Sequence, residues 1–293
     1  LVDIKKSEQI QVNTKNFSQT RSSGGSVANT IHGLAMLGID AGYIGSTGRD
    51  DTGDFFENDL KAAGVKTYLT RRNSVTGTAL TLISPDSERT FATHLGAAVE
   101  LHPGDLDPAW FREHDILYVE GYLITDAALV EKACLLAREN NMTIALDLAS
   151  YNVVEAYRDS FKKIADRYVD ILFANEMEAE AFTGVPSMQA LDLMGNSVEL
   201  VVIKAGANGS WLRKGKKTIK IDATPVRCDD TTGAGDLYAS GFLYGYATGM
   251  DLEKCGLIGS MMAEKVIGIT GARMGKTEFT EIIKNIGKIV QGP

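Results

Sequence analysis

Asp229-Asp-Thr-Thr-Gly-Ala-Gly-Asp236, continued by Leu237-Tyr-Ala-Ser-Gly-Phe-Leu-Tyr-Gly-Tyr-Ala-Thr-Gly-Met250, is the stretch on which the reading of this chain turns. From Leu237 to Met250 there is no formal charge, and a helix so apolar on every side belongs inside a domain rather than on its surface. Its N-terminus is the informative end. The turn Gly233-Ala234-Gly235 leaves backbone N–H groups uncovered, and together with the positive end of the helix dipole they form an anion site suited to phosphate. Asp236 falls in the first turn, where the dipole favours its carboxylate and is expected to keep it ionised at neutral pH. A carboxylate beside bound phosphate can take the proton of a hydroxyl that attacks phosphorus. On these eight residues alone, a tight glycine turn followed by an ordinary N-terminal helix carboxylate accounts for the pattern equally well.

Upstream, Val27, Ile31, Leu34 and Ala35 share one helical face, with Gly38 as a C-terminal stop. Gly25, Ser26, Asn29 and Gly33 share the other, which lacks long charged side chains and suits something that docks closely, a ligand or a neighbouring helix. The run DTTGAGDLYASGFLYG (230–245) closely resembles the C-terminal motif of the ribokinase-like (PfkB) carbohydrate kinases. GGSVANTIHGLAMLG (24–38) resembles their N-terminal glycine-pair motif. The likeness extends over essentially the whole chain, and the intervening segments are most similar to the bacterial adenosine-kinase-like branch.

The resemblance implies an α/β fold, a three-layer sandwich with a mostly parallel central sheet and a small β lid. It implies an ATP- and Mg2+-dependent kinase with an alcohol acceptor, either a nucleoside such as adenosine or a sugar or sugar phosphate. Asp236 would be the base, and Gly233, Ala234 and Gly235 the anion hole. Asp3 would grip the sugar hydroxyls, Gly24 and Gly25 would form a hinge under the lid, and Asn29 would bond the sugar. Asn175-Glu-Met-Glu178 matches the family's Asn-x-x-Glu element, in which Glu178 would orient hydrated magnesium. Read on their own, those glutamates are equally ordinary acids of a first helical turn. Lys204 stands where many relatives carry threonine ahead of a glycine, here Gly206, that approaches the nucleotide. Arg89, in the lid, is a candidate for the phosphates or simply an exposed hairpin arginine. Backbone near Asp230 and Thr232, with the segment after Gly271, would contribute to a monovalent-cation site, so K+ activation is expected.

The rest of the chain is consistent with one domain over residues 1–293, with a β lid from about 5–22 and 65–95. The chain has 293 residues, 44% of them hydrophobic, enough for a large core. A net charge of -8 with no basic run argues against nucleic acid, and no apolar run is long enough to span a bilayer. Cys134, Cys228 and Cys255 have neither zinc nor disulfide-framework spacing, which fits a cytoplasmic protein, monomeric or homodimeric. The start at Leu1 is expected to lack residues near Ile4–Lys5, and the polar stretch 5–23 has no clear period of its own.

A short strand follows Ala41, a helix spans 50–64, and Thr78 to Thr93 forms a hairpin around Pro85-Asp-Ser-Glu. Beyond it, strands at 116–119, 143–148, 170–173 and 200–203 alternate with helices, as in a parallel sheet covered on both faces. Ligands of such sheets lie beyond the strands' C-terminal ends, so Glu120, Asp147, Asn175 with Glu178, and Lys204 with Gly206 should converge, Glu120 on the acceptor. Gly271-Ala-Arg-Met-Gly-Lys-Thr277 imitates a phosphate-binding P-loop but is one residue short and follows no strand, so it reads as a loop beside the nucleotide.

Overall fold

The computed structural model describes residues 1–83 and 89–291. In chain order the elements are α1 (Ile4–Thr14), α2 (Ser26–Met36), β1 (Gly42–Gly48), α3 (Asp51–Ala62), β2 (Lys66–Arg72), β3 (Thr78–Ile83), β4 (Arg89–His94), β5 (Ile116–Glu120), α4 (Ala127–Glu139) and β6 (Thr143–Asp147). They continue as α5 (Tyr151–Ala156), α6 (Arg158–Tyr168), β7 (Ile171–Asn175), α7 (Glu176–Thr183), α8 (Ser187–Met194), β8 (Leu200–Lys204), β9 (Ser210–Lys214), β10 (Lys217–Ile221), α9 (Ala234–Ala247), α10 (Leu252–Val266) and α11 (Lys276–Gln291).

A six-stranded sheet in the order β10-β9-β8-β7-β6-β5 forms the middle layer, with β5 to β8 mutually parallel and β9 and β10 antiparallel at one end. Its strands show the period of two that a pleated strand imposes. Ile144, Leu146, Leu172, Ala174, Val201 and Ile203 pack with α4, α6, α7 and α8 on one face. Ala145, Ile171, Phe173, Leu200 and Val202, offset by one residue, pack with α2 and α9 on the other. Every one of these strand residues is apolar because neither face meets water, and this double burial makes a three-layer α/β sandwich. The four strands and the helices expected at 26–37, 50–64, 126–140 and 237–250 are present, within a few residues.

The region expected to form the lid is built differently from the sequence reading. The antiparallel pair β3–β4 is present, Thr78 facing His94 and Leu82 facing Thr90, and its turn at Pro85 lies outside the described residues. β2, inside the expected lid segment 65–95, instead pairs in parallel with β1. The segment 5–22 supplies no strand. Its first part is the helix α1, because Asp3 accepts the Lys6 N–H at 2.8 Å as an N-cap, and the Lys, Glu and Gln side chains that follow lose little freedom in a helix. Val2 ties the N-terminus to the hairpin, its N–H donating to the Thr93 carbonyl at 2.9 Å.

Candidate active site

Each parallel strand of the main sheet ends in a polar side chain: Glu120 on β5, Asp147 on β6, Asn175 on β7 and Lys204 on β8. Glu120 pairs in register with Asp147 and Asn175 with Lys204, and because Asp147 is level with Phe173 the second pair stands two residues further along the same edge. This is the edge where open α/β sheets bind ligands; of the groups expected to converge there, Asp147, Asn175, Glu178, Lys204 and Gly206 line one cavity and Glu120 does not.

Two helix N-termini close over that edge. Gly233 starts α9 at φ 78°, a left-handed conformation, and a Cβ there would lie 2.5 Å from the Ala272 methyl, so only glycine makes this turn against the 271–275 loop. Gly25 starts α2 at φ 104°. From α2, Ser26 Oγ donates to Asp236 Oδ1 at 2.7 Å and Asn29 Nδ2 donates to Asp236 Oδ2 at 2.8 Å. Thr30 Oγ1 donates to the Asp236 carbonyl at 3.1 Å.

Asp236 and Gly235 line a cavity of about 270 Å³ together with Ser26, Asp147, Asn175, Glu178, Lys204 and Gly206. Ala149, which also lines it, sits at φ 62°, and such strain in a non-glycine residue is commonly held at functional sites. Lys204 Nζ donates to Asp147 Oδ2 at 2.8 Å and would lie 3.3 Å from a Cβ on Gly235, which places an ammonium beside the amide turn.

The electrostatics differ from the sequence expectation at one point. The helix dipole does not hold Asp236 down. Burial raises its pKa above the ordinary carboxylate value, and the hydrogen bonds from Asn29 and Ser26 offset only part of the rise. Lys204 shows the opposite balance. Burial works against its charge, but Asp147 and Glu178 outweigh it and raise its pKa, so it stays an ammonium. Burial also pushes Glu120 up to about 7 against the Val27 N–H, which donates to its Oε2 at 3.0 Å.

Glu178 is 4% exposed and forms a reciprocal cap with Asn175. Glu178 Oε2 accepts the Asn175 N–H at 2.8 Å, and Asn175 Oδ1 accepts the Glu178 N–H at 2.9 Å. The capping account of these residues therefore holds, and Glu178 faces the cavity as well. Three carboxylates, Asp147, Glu178 and Asp236, surround one ammonium, so the cavity favours a cation. Among the described residues no three His, Cys, Asp or Glu side chains converge on one point. This donor set fits Mg2+ that keeps waters and takes the rest of its ligands from phosphate, with Glu178 and Asn175 in reach of those waters.

Three sequence expectations end up elsewhere. Asp3 is exposed, with its carboxylate engaged as the α1 cap, and does not line the cavity. The Asn29 amide, expected to bond the sugar, donates one hydrogen bond to Asp236. Gly33 serves helix packing, since a Cβ there would sit 2.4 Å from Ser240 Oγ of α9. The Arg89 side chain lies outside the described residues. Asp230 joins the two segments expected at the cation site, accepting the Thr232 N–H at 2.9 Å and the Gly271 N–H at 2.6 Å. Ser26 and Asp147 stood among the residues noted in the sequence, but the hydrogen bonds that tie them to Asp236 and Lys204 join positions 210 and 57 residues apart, which no local signal reports.

Comparison with known proteins agrees with this geometry. A probable sugar kinase from Rhizobium etli CFN 42 superposes with a TM-score of 0.89 at 32% identity, covering 98% of this chain and 88% of its own. The adenosine kinase from Sinorhizobium meliloti superposes with a TM-score of 0.89 at 31% identity, covering 97% and 89%. An uncharacterized sugar kinase of Archaeoglobus fulgidus is 28% identical over 249 residues, 83% of this chain and 97% of that protein. The model of the pfkB family carbohydrate kinases matches residues 2–278, and with both glycine motifs brought together on one aspartate the chain belongs to that family, as an ATP-dependent kinase that phosphorylates a hydroxyl group.

Proposed function

We propose that the protein transfers the γ-phosphoryl group of ATP to the primary 5′-hydroxyl of an unphosphorylated nucleoside, adenosine first. The observation that carries the reaction is the Asp236 carboxylate, aimed by Ser26 and Asn29 into the cavity at the amide-rich start of α9. Asp236 takes the proton of the acceptor hydroxyl as its oxygen bonds to phosphorus and the bond to the ADP oxygen breaks. The raised pKa makes it a stronger proton acceptor once ionised. The N–H groups of Gly233 and Gly235 and the Lys204 ammonium lie where negative charge on the transferred group would be stabilised, while the Ala234 N–H donates to the Thr231 carbonyl at 3.2 Å. Glu178 and Asn175 would hold magnesium, which would supply positive charge to the phosphates.

The state of Arg71 and Arg72 supports an unphosphorylated acceptor. A sugar-phosphate kinase needs uncommitted cations near the acceptor. Arg71 is engaged by Asp54, Glu57 and the Gly48 carbonyl, and Arg72 by Asp105 and the Glu100 carbonyl. Similarity to the adenosine kinase from Sinorhizobium meliloti supports a nucleoside acceptor.

The test is ATP consumption by the purified protein with Mg2+ and K+, across adenosine, other nucleosides, ribose, fructose and fructose phosphates. Adenosine turnover that disappears in Asp236→Asn is the expected result. Turnover of a sugar alone would keep the base and replace the acceptor, and a fructose phosphate as best acceptor would overturn the reading of Arg71 and Arg72. ATP binding without turnover of any acceptor would make this a binding protein. Omitting K+ from the same assay tests the cation expectation at Asp230 and Thr232.

A further inference from the structure

Behind the α2 hinge, three side chains from distant parts of the chain meet. Arg273, in the loop between α10 and α11, donates from Nε to the Ser23 carbonyl at 2.9 Å and from Nη2 to Ser23 Oγ at 2.6 Å. Ser23 in turn donates from its backbone N–H at 3.1 Å, and from its hydroxyl, to one carboxylate oxygen of Asp59 on α3. All three polar atoms of Ser23 are thus used, and the residue is 2% exposed.

Both charges are real at neutral pH. Burial brings Arg273 down to about 10, still well above neutrality. Burial also works against Asp59, but the two Ser23 hydrogen bonds and Arg273 outweigh it and hold the carboxyl below its ordinary value. His32 of α2 sits beside them and, pushed down to about 4 by burial and Arg273, is neutral and does not compete for Asp59.

Charge pairs taken partly out of water contribute little net stability, because desolvation offsets their attraction. This one is not optimised for stability either, since Arg273 Nη1 is buried with no hydrogen-bond partner among the described residues. What the arrangement does fix is position. Ser23 immediately precedes Gly24-Gly25, and the next turn carries the two donors to Asp236. On the other side, Ala272, the neighbour of Arg273, is the residue against which the Gly233 turn packs. One guanidinium therefore grips the start of α2 from the loop that backs the anion site.

We propose that Arg273 is a positioning residue for phosphoryl transfer: through Ser23 and Asp59 it fixes where α2 begins, and with it the hydrogen bonds from Ser26 and Asn29 that aim Asp236. This rests on Asp236 as the base. Both glycines allow the chain to pivot ahead of α2, and a misplacement of about 1 Å in reacting groups can cost on the order of a hundredfold in rate.

The experiment is steady-state kinetics of Arg273→Met, Arg273→Lys, Ser23→Ala and the Ser23→Ala/Arg273→Met double variant. It uses Mg-ATP and the acceptor that the wild type turns over, with Asp236→Asn alongside and each thermal unfolding curve recorded. Arg273→Met and Ser23→Ala are expected to lower kcat about tenfold or more while KM for ATP stays within about twofold. The double variant should be no slower than the slower single, as for two residues of one clasp. Arg273→Lys should recover part of the loss. If both singles keep kcat within about twofold of wild type while Asp236→Asn is inactive, Arg273 has no positioning role and the base assignment stands. Losses that multiply in the double variant, or a kcat loss that only follows the unfolded fraction, would also overturn the proposal. An active Asp236→Asn would remove the base and this inference with it. If Arg273→Met does not fold, Ser23→Ala with Arg273→Lys decides by the same criteria.

Discussion

At the residue scale, Asp236 accepts two side-chain hydrogen bonds from a different helix, which an acid serving only its own helix dipole would not need. Asp236→Asn keeps the shape and one of the two accepting oxygens, so turnover should fall by about 10² to 10⁴ while ATP binding, measured by calorimetry, stays within a few-fold. The base works only when deprotonated. With its pKa raised by burial, kcat should fall as pH drops through a value above the ordinary carboxylate range, and a limb at or below that range would contradict the burial account.

Glu120 gives a stability test with the sign reversed. Its folded pKa, about 7, exceeds the unfolded value, so its contribution to stability is fully present below the unfolded pKa and is lost as pH rises through 7. Glu120→Gln carries no charge to bury and can still accept the Val27 N–H. Its melting temperature relative to wild type should therefore rise between pH 5 and pH 8; a difference constant with pH would show that Glu120 is not forced to ionise in a buried place. Legibility at this scale was uneven. Asp236, Glu178 and the Gly233–Gly235 turn were readable as chemistry from their own short stretches. The protonation balance was not, because burial of Asp236 depends on α2, which is packed over it from about two hundred residues away in sequence.

At the element scale, α2 and α9 work as a pair. Gly33 lets them approach, and an added Cβ would meet Ser240 Oγ at 2.4 Å and Leu237 Cδ1 at 3.1 Å. Gly33→Ala should cost about 1 to 3 kcal/mol by overpacking, read as the shift in chemical denaturation midpoint. Because α2 also carries Ser26 and Asn29, kcat should fall with it. Ser240 Oγ is buried without a partner, so Ser240→Ala should recover part of both losses, and a failure to do so would mean that Leu237 is the obstacle. The sequence face that holds Gly33 was open to either a ligand or a helix. The structure shares it out: its N-terminal end holds the base and its C-terminal end meets α9. The strands were the most legible elements, since unbroken apolar runs such as Leu200–Ile203 mark a sheet covered on both faces. The segment 5–22 was the least legible, because a polar helix held by one cap leaves almost no periodic signature.

At the scale of the whole molecule, the cavity lies where two helix N-termini meet the ends of four strands, so a bound ligand bridges elements from both layers. Mg-ATP at about a hundred times its dissociation constant should add about 2.7 kcal/mol to the unfolding free energy. The melting temperature should rise by several degrees in wild type and equally in Asp236→Asn. No shift in either protein would mean that the nucleotide does not use this cavity.

By itself the sequence determined the layered sheet, the helix too apolar for a surface, the glycine turn ahead of it and the aspartate in its first turn. These depend on residues a few positions apart, and hydrophobic period, glycine turns and helix dipoles all act over that range. Only the tertiary structure decided that Asn29 serves Asp236, that Lys204 is held by Asp147, that Arg71 and Arg72 are committed to acids, and that Arg273 clasps Ser23. Each of those depends on which distant groups share a desolvated space, and that is set when helices and strands pack.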